Sequence, residues 1–159
     1  KINKLILESS SIGIGNFSQK DLRFQSDLAL CNSIESDLPK FMQKWKFNTL
    51  FENQSTRNKE GSLKQEKERL KHDPMQLSKA LKSFSQGNMK YYREEISSFK
   101  FPILIINGLD DREYVKKGKF IASLNTRASH CIIKNAGHNV HLESVDEFIN
   151  TLNNYLNDI

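Results

Sequence analysis

The chain has few of the residues that build the common small-protein devices. It holds two cysteines, Cys31 and Cys131, placed 100 positions apart and in no CxxC or Cys/His spacing. That excludes a disulfide framework and a cysteine-ligated zinc site, and leaves two free thiols as the expectation in a reducing cytosol. Four histidines without an HExxH segment give no metal motif, so no metal is expected. No apolar run approaches the roughly 20 residues of a membrane helix, and Lys1 to Glu8 lacks the order of a signal peptide. The expected location is therefore cytoplasmic, without a membrane span. The run also lacks an initiator methionine and opens almost directly on a strand-like segment, which points to a true start upstream of Lys1.

What is present is a polar chain of 159 residues, 37% hydrophobic and 27% charged, long enough for a real core. The net charge of +5 is uneven: residues 16 to 100 carry 16 Lys and Arg against 11 Asp and Glu, while the rest carries eight of each. Such a basic middle fits a nucleic-acid surface, a solvated helical face, or a lid over an anionic small molecule. Its basic residues stand singly among acids and no glycine-aromatic RNA motif occurs, so no nucleic-acid partner is expected. Oligomeric state is not legible.

Three parts follow from the apolar spacing: 1–15, 16–98 and 99–159. Residues 3 to 8 read as a buried strand stopped by Ser9, Ser10, Ser11 and Gly13. Residues 18 to 98 hold only two glycines and two prolines, and their spacing is helical. Leu22, Leu28, Cys31 and Ile34 predict one helix, with Ser18 and Asp21 as its capping box. Leu38, Phe41, Met42, Trp45 and Phe47 predict a second. Two more, Leu63 to Lys71 and Gln76 to Phe84, flank the breaker His72-Asp73-Pro74. Strand then returns over Phe99 to Asn107, followed by helix over Val115 to Leu124, strand over His130 to Lys134 and helix over Val145 to Leu156. That alternation implies parallel strands joined by crossover helices. So few strands cannot cover a parallel sheet, so further strands are expected from elsewhere.

Functional groups in such sheets gather at the carboxyl ends of strands. Gly108-Leu109-Asp110-Asp111 closes one strand, and Ala136-Gly137-His138-Asn139-Val140-His141-Leu142-Glu143 follows the next. An acid bonded to one imidazole nitrogen leaves the other as a base, which is two-thirds of a catalytic triad. Each segment also has a plain reading. Asp110 or Asp111 could simply cap a helix, and Gly-His could be an ordinary loop. Their joint order, with His138 27 positions after Asp111, favours the catalytic reading. His141 reads as a supporting or packing residue, and His72 and His130 as structural.

These motifs resemble the C-terminal half of the α/β-hydrolase superfamily: a G-x-x-D, then a helix, a strand and G-H. The superfamily's G-x-S-x-G nucleophile elbow does not occur in the 159 residues. Within the superfamily the chain is similar to the menaquinone-pathway lyase family called MenH. The similarity is carried by Leu5-Ile6-Leu7-Glu8-Ser9, by Arg23 with Asp27, and by Phe41 to Phe51 with Trp45. It continues through Arg69-Leu70 with Asp73-Pro74 and Leu77 to Leu81, and ends in the Ala136 to Glu143 motif. The chain departs from the family at Ile12-Gly13, at Glu113-Tyr114 and at Ser85 to Met89.

The resemblance implies an α/β fold, the C-terminal part of an α/β-hydrolase with late parallel strands, flanking helices and an inserted helical lid. It implies Asp111 as triad acid and His138 as base, with the serine upstream of Lys1. Arg23, Trp45 and Arg69 would bind an anionic small-molecule substrate, and pyruvate would be eliminated without a metal or cofactor. A carboxylesterase or carbon–carbon hydrolase on the same scaffold, or a non-catalytic remnant, are the alternatives.

Overall fold

The computed structural model describes residues 1–157. They form two compact units: Lys1–Ser11, Thr49–Ser62 and Arg93 onward make the first, and Ile12–Asn48 with Leu63–Tyr92 the second. Residues 49 to 62, inside the segment expected as lid, thus fall within the first unit.

The first unit is built on three parallel strands, β1 (Leu5–Glu8), β2 (Ile103–Gly108) and β3 (Ala128–Ile133), in the order β1-β2-β3. The mixed architecture with a parallel sheet is that expected from the strand–helix alternation. Strand β2 is paired on both sides, and all six of its residues are buried, which is why it reads as a continuous apolar run rather than an alternating one. It starts at Ile103 rather than Phe99. Pro102 cannot donate to the ladder but its carbonyl accepts from Leu5 (3.0 Å), and Phe99 stacks on Phe101 ahead of the strand.

Alternation along β2 divides the core between the two faces. Leu104 and Ile106 join Ile133, Ala136 and Val140, against which Phe148, Leu152 and Tyr155 of a C-terminal helix pack. On the opposite face, Asn107 meets the helix Arg112–Ser123 that crosses from β2 to β3. Asn107 is fully buried, and its Oδ1 lies 2.8 Å from His130 Nε2 of β3. Gly118 sits directly above that pair, leaving no room for a side chain. His130 is therefore a half-buried interior histidine rather than a strand-end residue.

The second unit is helical. Its first long helix, Phe17–Ser36, runs against Pro74–Ser83. Ile34, Leu38 and Met42 form its apolar centre, with Phe41, Trp45, Leu77 and Leu81 around them. Two expectations need correction. The helix cap is Asn16, whose side chain accepts from Gln19 N–H (3.0 Å), not Ser18, because the helix already starts at Phe17. Leu22 is 69% exposed, and the buried face of that helix is set by Asp27, Cys31 and Ile34. The other expected helices start or stop within a few residues of expectation, at Leu38–Trp45, Lys59–Arg69, Pro74–Ser83, Arg112–Ser123 and Val145–Asn157, while Gln54–Arg57, Arg93–Ser98 and Val140–Glu143 were not expected.

Alanine replacing a mid-helix glycine normally gains about 1 kcal/mol. At Gly118 a Cβ would lie 2.2 Å from Asn107 Oδ1 and 2.7 Å from His130 Nε2. Gly118→Ala is expected to destabilise the protein by about 1–3 kcal/mol in urea denaturation, the usual range for overpacking. His130 gives a pH signature. Burial, helped by the nearby Lys119 charge, lowers its pKa below the ordinary histidine value. The folded state thus binds fewer protons than the unfolded one, and stability present at neutral pH falls as pH drops below the unfolded value. The melting temperature should decline between pH 7.5 and 5.5, and His130→Gln should reduce that decline.

Candidate active site

The loop after β2 turns at Gly108-Leu109-Asp110 and delivers Asp111 to the start of the following helix. Asp111 is buried, and its two oxygens are divided. Oδ1 accepts from the Tyr114 backbone N–H (3.3 Å), capping the helix, and Oδ2 lies 2.6 Å from His138 Nδ1. The same carboxylate therefore serves both of the readings that the sequence offered, cap and histidine partner. The hydrogen bond engages Nδ1 of the ring, and Nε2 is the nitrogen outside it.

The loop after β3 is held just as closely. Leu109 N–H donates to Ile133 O (2.9 Å) and Asp110 N–H to Ala136 O (3.0 Å), so the two loops are stitched together by backbone hydrogen bonds. At Gly108 a Cβ would stand 2.2 Å from the Gly137 carbonyl oxygen, so glycine is required by this close approach. Tyr114 packs edge-on against the His138 ring at 4.6 Å between centroids, and Phe51 does so at 6.5 Å. His138 borders a cavity of about 280 Å³ shared with Glu52, Asp110, Asp111, Arg112 and Glu113.

Two further residues of this site, Glu143 and Arg57, were given no role by sequence. Glu143 is buried; its Oε2 accepts from Gly137 N–H (3.0 Å) and from Arg57 (2.5 Å). Arg57 also donates to Asp110. Burial alone would lower the Arg57 pKa, but the hydrogen bonds to Glu143 and Asp110 outweigh it and raise it. Glu143 had a signal, as the last residue of the Ala136 motif. Arg57 had none, lying 86 positions from its partner. His141 is exposed, and its ring and backbone N–H both bind Glu8 (2.8 and 3.0 Å).

The other expected site residues lie in the second unit. Arg23 binds both oxygens of Asp27 through Nε (2.9 Å each), four residues on in the same helix. Asp27 is 1% exposed and also accepts from Ser85 Oγ (2.7 Å). Both hydrogen bonds from Arg23 to Asp27 are made by Nε. Trp45 stacks on Phe41 at 5.5 Å and borders a groove of about 640 Å³ that also has Lys40 and Lys44 on its wall. Arg69 is half-buried, and burial lowers its pKa, with Glu66 opposing. Glu113 is exposed and lies 3.9 Å from Lys117. Among the described residues no helix is long and apolar enough to cross a membrane, and no cluster of histidine, cysteine and acidic residues could hold a metal.

No protein-family model matches the chain. A Bacillus subtilis (strain 168) protein provisionally assigned as 2-succinyl-6-hydroxy-2,4-cyclohexadiene-1-carboxylate synthase is 22% identical over 160 residues, spanning 100% of this chain and 58% of that protein. The structure of MenH from S. aureus is similar with a TM-score of 0.94 at 29% identity, over 98% of this chain and 59% of that one. A thermophilic esterase from Thermogutta terrifontis has a TM-score of 0.80 at 16% identity, covering 97% of this chain and 55% of its own. Bromoperoxidase from Bacillus anthracis has a TM-score of 0.75 at 18% identity, covering 99% and 59%. The last two share the fold alone. The chain spans somewhat over half the length of each of these proteins.

The Arg23–Asp27–Ser85 group makes an asymmetric prediction. Removing the arginine strands a buried carboxylate, whereas removing both charges does not. Arg23→Ala is expected to cost on the order of 2 kcal/mol, and adding Asp27→Ala should recover part of that loss. Denaturant unfolding of the two single variants and the double variant measures the coupling.

Proposed function

We propose that this chain, whose fold is the C-terminal part of an α/β-hydrolase, supplies the acid and base of a Ser-Asp-His triad in a MenH-type lyase. Asp111 is the acid and His138 the base. The serine would stand on a G-x-S-x-G elbow in sequence preceding Lys1, with the elbow some 25 to 30 residues upstream, about the length of one crossover helix and its loop. The observation that carries the reading is the 2.6 Å contact between His138 Nδ1 and the buried Asp111 carboxylate. Capping by the Tyr114 amide fixes that carboxylate, so it need not reorganise as the imidazole gains a proton.

In this reading the serine–histidine pair abstracts a proton from a succinyl-cyclohexene carboxylate, and pyruvate leaves. The reaction needs no metal or cofactor. The helical segment 16–98 is the lid in this reading. Arg23 contributes its guanidinium to a substrate carboxylate, Trp45 lines the pocket and Arg69 is a second anion contact. The 29% identity with the S. aureus MenH structure supports this over the wider superfamily. Placement in the cytoplasm is part of the same proposal.

One observation favours a second reading, a carboxylesterase or carbon–carbon hydrolase. The cavity beside His138 is bordered by Glu52, Asp110 and Glu113 as well as Asp111, with Arg112 the cation on its wall. A multiply charged anion placed there would meet like charge, which a neutral ester would not.

The test uses the gene product that carries the elbow. His138→Ala is expected to lower pyruvate release by roughly 10⁴-fold or more with the fold intact by circular dichroism. Retained turnover would mean that the base is another residue. Turnover of a model acyl ester without any pyruvate release from the menaquinone-pathway intermediate would replace the lyase reading by the hydrolase one. Absence of an upstream elbow would remove the catalytic reading altogether.

A further inference from the structure

The Asp111–His138 pair is made by two separate loops, and neither loop is rigid by composition: one turns at Gly108, the other at Gly137. Backbone hydrogen bonds from Leu109 to Ile133 and from Asp110 to Ala136 hold the loop ends together, and a side-chain link adds to them. The residue immediately before the acid is Asp110, and Arg57 donates to its carboxylate. The residue immediately before the base is Gly137, whose N–H donates to Glu143 Oε2 (3.0 Å), and Arg57 donates to that same oxygen (2.5 Å). One guanidinium thus grips both loops, each at the position that precedes a member of the pair.

The two arms differ in strength. Glu143 has a side chain 1% exposed, and Arg57 is 19% exposed, so their contact is a desolvated, charge-assisted hydrogen bond. Asp110 is 44% exposed, and its arm is correspondingly weaker. Glu143 Oε1 is buried without a hydrogen-bond partner among the described residues. Its charge is therefore compensated at Oε2 alone, by Arg57 and the Gly137 amide. Without the arginine, a buried carboxylate would be left with one neutral donor, a costly state that favours withdrawal of the side chain and release of Gly137.

Arg57 itself is well anchored. It ends a short helix, Gln54–Arg57, that packs on Val140–Glu143. Asn139 Nδ2 donates to the buried Gln54 (2.5 Å), and Asn58 Nδ2 donates to Leu142 O (3.0 Å). Leu142 Cδ1 also lies against Gly61, where a Cβ would stand only 2.7 Å away. The guanidinium is delivered by a segment already docked on the histidine loop.

We infer that Arg57 is a positioning residue, a clamp through Asp110 and Glu143 that holds the loops of Asp111 and His138 in register. Only a forked cation can serve both carboxylates, so lysine would do the task partially. The inference rests on the assignment of His138 as the base, but its test reads the geometry of the pair rather than turnover. Failure of one is thus distinguishable from failure of the other.

The measurement is solvent exchange of the His138 Nδ1 proton by NMR, with the Ile105 amide of β2 and the melting temperature as controls. Arg57→Gln is expected to speed exchange of the Nδ1 proton and of the Gly137 amide by about tenfold or more, with Ile105 unchanged. Arg57→Lys should fall between the variant and the natural protein. Unchanged Nδ1 exchange in folded Arg57→Gln would overturn the inference. So would acceleration matched at Ile105, which would make Arg57 a general stabiliser only. If Arg57→Gln does not fold, Asp110→Asn cuts only the exposed arm. A several-fold faster Nδ1 exchange supports the clamp, and no change overturns it.

Discussion

Much of the first unit turns on how one buried carboxylate divides its two oxygens. Asp111 gives Oδ1 to the first turn of the helix that crosses from β2 to β3, and Oδ2 to His138 at the far end of that crossover. A buried charge is tolerated only when hydrogen-bonded on its available sides, and here the two donors come from the beginning and end of the same β-α-β unit. The interaction thus ties helix start, strand ends and the histidine loop into one arrangement. It depends on β2 lying beside β3, since adjacent parallel strands bring the carboxyl end of β2 next to the loop that follows β3.

Around that carboxylate the polar groups are shared rather than stacked in isolated pairs. Arg57 serves Asp110 and Glu143, Glu143 serves Arg57 and Gly137, and Glu8 takes both the ring and the backbone of His141. Asn139 and His141 near the proposed base are held by Gln54 and Glu8 from distant stretches of chain, and Gly137 by the nearby Glu143. The second unit repeats the device with Asp27, which collects Arg23 from one turn away and Ser85 from 58 positions away. In both cases a buried acid is made tolerable by an arginine, and the arginine is oriented by it in return.

Local chemistry explains which elements were legible in advance. The apolar run Ile103 to Ile106, bounded by Pro102 and Gly108, can only be a buried strand, and the helix over Pro74–Ser83 is announced by Asp73 and Pro74 at its start. Leu22 shows the opposite case. Its spacing with Leu28 fits a buried helical face, yet it is exposed, because the polar Asp27 takes the buried position by satisfying its charge with Arg23 and Ser85. Apolar periodicity ranks residues by greasiness and cannot anticipate a buried ion pair.

The order of residues by itself determined the strand–helix alternation, the position of an acid and a histidine at successive strand ends, and the likeness to α/β-hydrolases. These depend on neighbours within a few positions, where backbone geometry and burial period leave little choice. The tertiary structure decided which aspartate meets the histidine. Asp110 and Asp111 are adjacent and chemically identical, but the turn at Gly108 sends one carboxylate inward to His138 and the other outward to Arg57. It alone also brought Arg57 to Glu143, across 86 positions of chain. No local pattern encodes such a contact, since it exists only after the sheet has set the two loops side by side.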